Sequence, residues 1–166
     1  ENPILFYRDY ELKIDPYLLG LWLGDGNSRG PIIHNPEKEI WDYVKDYASS
    51  NSLSYKKVKD GDKCAKVSLT TKRGKPNPLL DSLKFYDLIQ NKHIPEVYMF
   101  ASLEDRLKLL AGLLDTDGYL ANETYFEITQ KSEKMSKQIV HLARTCGFKV
   151  SITEKIGKVT SINFEG

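Results

Sequence analysis

The chain has 166 residues, of which 40% are hydrophobic and 28% charged, and a formal net charge of +1. That length can bury a sizeable core and reads as one domain over residues 1–166. No apolar run approaches the ~20 residues of a membrane span, so no membrane partner is expected.

Residues Glu1 to Asp9 show neither the basic start nor the apolar stretch of a signal peptide, and read as the interior of a longer protein. Cys64 and Cys146 form no metal-binding cluster and read as reduced thiols of an intracellular protein. The small net charge hides segregation. Residues 56–75 carry +6, residues 131–158 carry +5, and the remainder carries −10. Two basic blocks on an acidic chain suit a polyanion-binding surface, although charge alone is equally the signature of solvated lysines.

In chain order, Asp15-Pro16 is a helix start, with a capping residue and then proline at the first helical position. The run Tyr17 to Leu23 is apolar nearly all round, so this helix should be buried nearly all round. Gly20 and Gly24 are four residues apart on one of its faces, which suits close approach of another helix. Gly26 to Pro31 turns the chain, Ile32-Ile33-His34 reads as a short strand, and Asn35-Pro36-Glu37 opens a second helix with an apolar face at Ile40, Trp41, Val44, Tyr47 and Ala48. Strands are expected near Leu53 to Lys59 and Cys64 to Thr71. In the second of these, Ala65, Val67, Leu69 and Thr71 face one way, and Lys66, Ser68, Thr70 and Lys72 the other. A face of lysine and hydroxyl suits phosphates and base edges, and suits open water about as well.

Lys72 to Pro78, with Arg73 and Lys75, is a loop, and Leu79 to Leu88 a short helix. After Asn91-Lys92-His93-Ile94-Pro95, Ser102 caps a long helix reaching Thr116, and Asp117-Gly118 turns the chain. Tyr119 to Gln130 reads as a hairpin around Asn122, and Ser132 to Cys146 as an amphipathic helix ended by Gly147. Phe148, Val150 and Ile152 then alternate with Lys149, Ser151, Thr153 and Lys155, and a last strand runs from about Val159 to Phe164. The order of elements repeats, with halves at about 14–101 and 102–166. Each half opens with a glycine-bearing helix that delivers an aspartate and a glycine.

Asp25 and Asp117 thus sit at helix C-termini, where the partial negative charge disfavours them. If the two helices pack side by side, carboxylates about 6 Å apart repel by roughly 3 kcal/mol at an effective dielectric near 20. A cation would relieve this, and hard oxygen ligands suit magnesium or calcium. Magnesium beside a basic surface points to phosphodiester chemistry. Each aspartate alone also reads as a helix stop; it is the matched apolar lead-in at both sites that favours chemistry. A calcium loop starting at Asp115 fails on spacing, since its twelfth position is Phe126.

Leu110 to Gly118 (Leu-Ala-Gly-Leu-Leu-Asp-Thr-Asp-Gly) resembles the LAGLIDADG motif, departing from it only at Leu114 and Thr116. Leu18 to Gly26 is a looser copy, with Leu23 and Gly24 in the places of Asp115 and Thr116. Over nearly its whole length the chain resembles the homing endonuclease domain of inteins, particularly the fungal vacuolar-ATPase type.

The resemblance implies an α+β fold, a pseudo-twofold pair of αββαββα halves with the second lacking its terminal helices. It implies a helix seam of Gly20 and Gly24 against Gly112 and Thr116, and two four-stranded sheets over double-stranded DNA. It makes the chain a monomeric, magnesium-dependent DNA endonuclease that leaves 3′ overhangs, with Mn2+ substituting and Ca2+ binding without turnover. Asp25 and Asp117 would hold the metal, helped by Gly24 and Thr116, and Lys92 of Lys92-His93-Ile94-Pro95 matches the K-x-I-P lysine that assists catalysis. DNA would meet Arg29, His34, Lys66, Ser68, Thr70, Lys72, Arg73, Lys75, Lys131, Lys149, Ser151, Thr153 and Lys155.

Two departures from the family pattern stand out. A second catalytic lysine, on helices after the last strand, has no counterpart before Gly166, which suits reduced activity, DNA binding without efficient cleavage, or an RNA-splicing maturase. Glu1 is not a splicing nucleophile and no terminal His-Asn is present, so a splicing domain would belong to a parent chain. The expected location is the nucleus, or wherever the host DNA resides.

Overall fold

The computed structural model describes residues 11–35, 37–60, 64–121, 124–155 and 159–165, with side chains at all of these except 58–60, 64, 65, 154, 155 and 159–165. The chain divides into two compact units, Gly24–Lys92, and Glu1–Leu23 with His93–Gly166. Helix α1 (Pro16–Asp25) is shared, its last two residues falling in the first of these units. Among the described residues no helix is long and apolar enough to cross a membrane.

In the Gly24–Lys92 unit, β1 (Ile32–His34), β2 (Ser54–Asp60) and β3 (Cys64–Thr70) form an antiparallel sheet in the order β1-β3-β2. Helix α2 (Lys38–Ser50) buries Ile40, Val44 and Ala48, four residues apart and so on one face. These join Ile33, Val67 and Leu69, all within 3% of full burial. Helix α3 (Pro78–Phe85) starts where the Asn77 side chain accepts from the amides of Leu79 and Leu80, both at 3.1 Å, with proline at its first position.

In the other unit, α1 starts where Asp15 Oδ1 accepts from the Leu18 amide at 3.0 Å. Leu18 to Leu23 are all buried, as an all-apolar helix requires. The short α4 (Glu96–Met99) presents Tyr98, whose hydroxyl accepts from the Ile14 amide (3.1 Å) and donates to the Ile14 carbonyl (2.8 Å). Helix α5 (Leu103–Asp117) is capped by Ser102 and runs straight into β4 (Gly118–Ala121). Then come β5 (Tyr125–Gln130), α6 (Glu133–Thr145), β6 (Lys149–Lys155) and β7 (Val159–Glu165), with sheet order β4-β5-β7-β6. Gly147, at φ +95°, ends α6 in the left-handed conformation that glycine adopts without penalty.

Helices α1 and α5 meet at glycine. A Cβ on Gly20 would lie 2.9 Å from the Gly112 Cα, and one on Gly112 would lie 2.9 Å from the Gly20 Cα. Real Cβ atoms do not approach that closely, so this half of the expected seam is a backbone-to-backbone contact. Arg106 of α5, only 1% exposed, donates from Nε to the Ala101 carbonyl (3.1 Å) and from a guanidinium NH to the Thr145 carbonyl (2.7 Å). It thereby caps the C-terminus of α6, where a cation is favoured.

The repeat is explicit in the sheet orders. Gly26, just after α1, makes a single antiparallel bridge to Ile33, as Gly118, just after α5, pairs with Ile128. Counting that bridge, the first unit reads bridge-β1-β3-β2 against β4-β5-β7-β6 in the second. The expectation of two four-stranded sheets is therefore corrected: among the described residues one sheet has three strands and the other four. Asn27-Ser28-Arg29-Gly30 turns at once, and the Arg29 amide donates to Asn27 Oδ1, which leaves no length for a fourth strand. Ile152 is also corrected. Its alternation places it on the core face, yet it is 48% exposed on the edge strand β6.

Candidate active site

Asp25 is the last residue of α1 and lies half-buried. Its carboxyl titrates above the ordinary aspartate range, first because burial disfavours the charge. The Asn35 hydrogen bond and the positive charges of Lys92 and His34 oppose that shift without cancelling it. Lys92 Nζ donates to the Gly24 carbonyl at 3.0 Å, so its ammonium sits at the end of α1 beside Asp25. Within the Gly24–Lys92 unit the structure thus brings together Lys92, Asp25 and Gly24.

Asn35 is the residue that sequence reasoning missed. It reads as part of a helix start, but α2 begins at Lys38 with Glu37 in the capping position. Asn35 is 3% exposed, and its side-chain N–H donates to Asp25 Oδ2 at 2.7 Å. Its Oδ1 accepts from the Glu37 amide (2.7 Å) and its carbonyl from Trp41 Nε1 (2.7 Å). Trp41 in turn lies under Lys57, whose Nζ is 3.0 Å from the ring centroid. Asn35 is thus held at its side-chain oxygen and at its backbone carbonyl while its side-chain N–H meets the carboxylate. Asn35→Ala removes a hydrogen bond that favours the ionised form. The Asp25 carboxyl of that variant is expected to titrate at still higher pH, which carbon-13 NMR of the side chain reads directly. An unchanged titration would show that the contact does not form in solution.

In the other unit, Asp117 ends α5 and Gly118 opens β4. A Cβ on Gly118 would lie 2.8 Å from the Leu114 Cα, so glycine is required where the strand leaves the helix without a loop. Asp115 accepts from the Tyr17 hydroxyl at 2.6 Å and so serves the contact of α1 with α5. That separates its role from that of Asp117. The Thr116 hydroxyl donates back into its own helix, to the carbonyls of Gly112 (2.9 Å) and Leu113 (3.2 Å).

The donor set at both helix ends is hard oxygen. Among the described residues no three His, Cys, Asp or Glu side chains gather to make an all-protein cage. This fits magnesium, which is held by one or two carboxylates together with waters and substrate phosphates. It does not fit zinc, which takes three or four nitrogen and sulfur ligands.

The sheet faces carry the remaining expected residues. Val67 and Leu69 of β3 are 1% exposed on the core side. Lys66, Ser68 and Thr70 alternate with them on the outer side, and His34 pairs with Lys66 there. The register adds two residues to that face: Lys56 opposite Ser68, and Ser54 opposite Thr70. Arg29 is exposed in the turn after α1, and Lys72, Arg73 and Lys75 are exposed in the loop after β3. In the four-stranded sheet Lys149, Ser151 and Thr153 are exposed along β6, and Lys131 follows β5. The Lys155 side chain lies outside the described residues.

A family model described as homing endonuclease matches residues 93–164. The chain is 30% identical over 174 residues to the homothallic switching endonuclease of Saccharomyces cerevisiae, covering 87% of this chain and 29% of that protein. It is 28% identical over 147 residues to the replicative DNA helicase DnaB of Mycobacterium intracellulare, covering 89% of this chain and 21% of that protein. The chain therefore spans less than a third of the length of either curated relative. A structure of I-DmoI with DNA and manganese superposes with a TM-score of 0.63 at 16% identity, covering 92% of this chain and 89% of that one. The N-terminal LAGLIDADG domain of DUF199/WhiA gives 0.56 at 11%, covering 98% and 88%. The fold is that of the LAGLIDADG homing endonucleases.

Proposed function

We propose that this LAGLIDADG fold is a site-specific DNA endonuclease that makes a double-strand break with 3′ overhangs in a long target. The observation that carries the reading is the cluster at the end of α1: a half-buried aspartate held by a buried asparagine, with a lysine ammonium at the same helix end. A stable fold gains nothing from a desolvated carboxylate unless something binds it.

In this reading the lysines and hydroxyls of the outer sheet faces hold phosphates and set the register on the duplex. Asp25 with Gly24, and Asp117 with Thr116, would each offer oxygen to a divalent cation; when bound, it polarises the scissile phosphate and lowers the pKa of an attacking water. Lys92 brings a fixed positive charge and a proton donor to the Asp25 side. Asn35 keeps one carboxylate oxygen engaged and so orients the other. Magnesium is the proposed ion, with manganese substituting and calcium supporting binding without turnover. Structures of I-DmoI described with manganese, magnesium or calcium and DNA support this choice.

The chain is further proposed to act as a monomer wherever the host DNA resides, as an intein-type domain akin to the fungal vacuolar-ATPase kind. The match to a fifth of a protein named for its helicase supports residence inside a longer host protein.

The test is cleavage of a plasmid carrying the uninterrupted host gene, with strand ends mapped by sequencing. Lys92→Met is expected to slow cleavage by about 10²-fold with DNA affinity within about twofold, as for loss of one group that acts on the transition state. A Lys92→Met variant as fast as wild type would remove Lys92 from the mechanism. Specific binding by wild type without cleavage in magnesium or manganese would replace the reading by DNA binding alone, and preference for RNA by a maturase.

A further inference from the structure

Lys92 reaches the end of α1 from a segment that no helix or strand supports. Residues 86–95 lie between α3 and α4 without regular structure. A lysine side chain is long and rich in rotamers, so its ammonium stays at one point only if the backbone beneath it is fixed. Lys92 Nζ nevertheless donates to the Gly24 carbonyl at 3.0 Å. Other contacts of the segment must take the place of a hydrogen-bond ladder.

Helix α3 closes with Asp87 in the left-handed conformation, at φ +54°. The Asp87 amide donates to the Lys84 carbonyl (3.0 Å) and the Leu88 amide to the Leu83 carbonyl (2.9 Å), with Leu83 and Leu88 both fully buried. Glycine fills that place without steric cost. The aspartate side chain adds what glycine cannot: its Oδ2 accepts from Asn91 Nδ2 at 2.8 Å. The same nitrogen donates to the Asp87 carbonyl at 3.0 Å. Between these two residues Gln90 is also left-handed, at φ +58°, and its amide donates to the Ser28 carbonyl at 2.7 Å. Ser28 stands in the turn that follows Asp25. Among the described residues three that are not glycine have positive φ, and two of them are Asp87 and Gln90. Backbone strain of this kind persists where the surroundings over-determine it, and it concentrates at functional sites. All of these residues belong to the Gly24–Lys92 unit.

We infer that Asp87 and Asn91 are positioning residues for Lys92. The clasp between their side chains fixes the turn in front of the lysine, and the Gln90 amide ties that turn to the one after Asp25. The ammonium is thereby held at the Gly24 carbonyl. The inference rests on the reading of Lys92 as part of a nuclease site, and adds to that site two residues that act through the lysine.

The experiment compares Asn91→Ala, Asp87→Gly and Asp87→Asn with wild type. The readouts are backbone nitrogen-15 relaxation of the full chain and single-turnover cleavage of a plasmid carrying the uninterrupted host gene. Asn91→Ala loses both bonds of the clasp. Asp87→Gly loses the carboxylate but relieves the left-handed strain, so its melting temperature should stay within about 2 °C of wild type. In both variants the order parameter of the Lys92 amide should fall from about 0.85 toward 0.6. Cleavage should slow by about tenfold in Asn91→Ala and about threefold in Asp87→Gly, with DNA affinity within about twofold. Asp87→Asn keeps an acceptor for Asn91 and tolerates the left-handed place, so it should match wild type in both readouts. On a Lys92→Met background neither Asn91→Ala nor Asp87→Gly should slow cleavage further. A Lys92 amide as rigid in Asn91→Ala as in wild type would overturn the assignment, whatever the rate. Further slowing on the Lys92→Met background would overturn it too, since the clasp would then act other than through the lysine. Loosening of Lys92 in both variants of a wild type that binds DNA without cleaving it would leave the positioning in place and overturn the endonuclease reading instead.

Discussion

Asp25→Asn is expected to lower cleavage by about 10³-fold and, in metal-free buffer at neutral pH, to raise the melting temperature. The first effect follows from losing a charged oxygen ligand, worth several kcal/mol of transition-state stabilisation. The second follows from the direction of the titration. The folded state holds the Asp25 carboxyl above its ordinary value of 3.8, chiefly through burial. Its ionised form is therefore a cost to folding. That cost is fully present above the raised value, shrinks as pH falls toward 3.8, and vanishes below it. Asparagine never carries the charge and still offers Asn35 an acceptor. The gain in melting temperature should thus be present at pH 7 and absent near pH 3, which calorimetry at both values tests. A variant less stable than wild type at pH 7 would show that Lys92, Asn35 and His34 outweigh burial, contrary to the order of causes here.

Gly20→Ala and Gly112→Ala are each expected to lower the melting temperature by about 4–8 °C. Alanine is favoured over glycine inside a helix by about 1 kcal/mol, so the sign is a contest. Overpacking costs about 1–3 kcal/mol, occasionally more. The new methyl would meet backbone of the opposite helix on every side, including a Cα at 2.9 Å, and no side chain can rotate out of its way. The upper end of that cost, or more, should therefore apply, leaving a net loss of about 2 kcal/mol. For a chain of this size each kcal/mol moves the midpoint by about 2–4 °C. Gly30→Ala is the control, since a Cβ there meets nothing within 4 Å. Equal melting temperatures for Gly20→Ala and Gly30→Ala would mean that α1 and α5 are not in contact.

What could be read from the sequence was what is decided locally. The caps at Asp15 and Ser102 each bond within three residues, and each marked its helix. The alternation through Lys66 to Thr70 needed only the period of a strand, and both faces emerged as expected. What could not be read depended on contacts across the chain. Asn35 next to proline looks like a capping residue, and only the return of β1 toward the end of α1 brings its amide to Asp25. Lys56 and Ser54 join the outer face through a register that composition does not reveal. Arg106 looks like a surface charge on an amphipathic helix, until the end of α6 claims its guanidinium. Ile152 obeys its period and is nonetheless exposed, because burial on an edge strand depends on what lies above it. At the site itself the two aspartates and Lys92 stood out through the motifs they complete, whereas the group that orients Asp25 did not.

The single bridge at Gly26 leaves one sheet a strand narrower than the other. One strand spacing is about 4.8 Å, against a rise of about 3.4 Å per base pair. On the DNA-reading hypothesis, the narrower surface spans one to two fewer base pairs. A palindrome cannot satisfy two such surfaces equally. On that hypothesis the preferred target would have a left and a right end, and the chain would sit on it in one orientation only. Any DNA copied into the break would then inherit a fixed polarity relative to the gene that receives it.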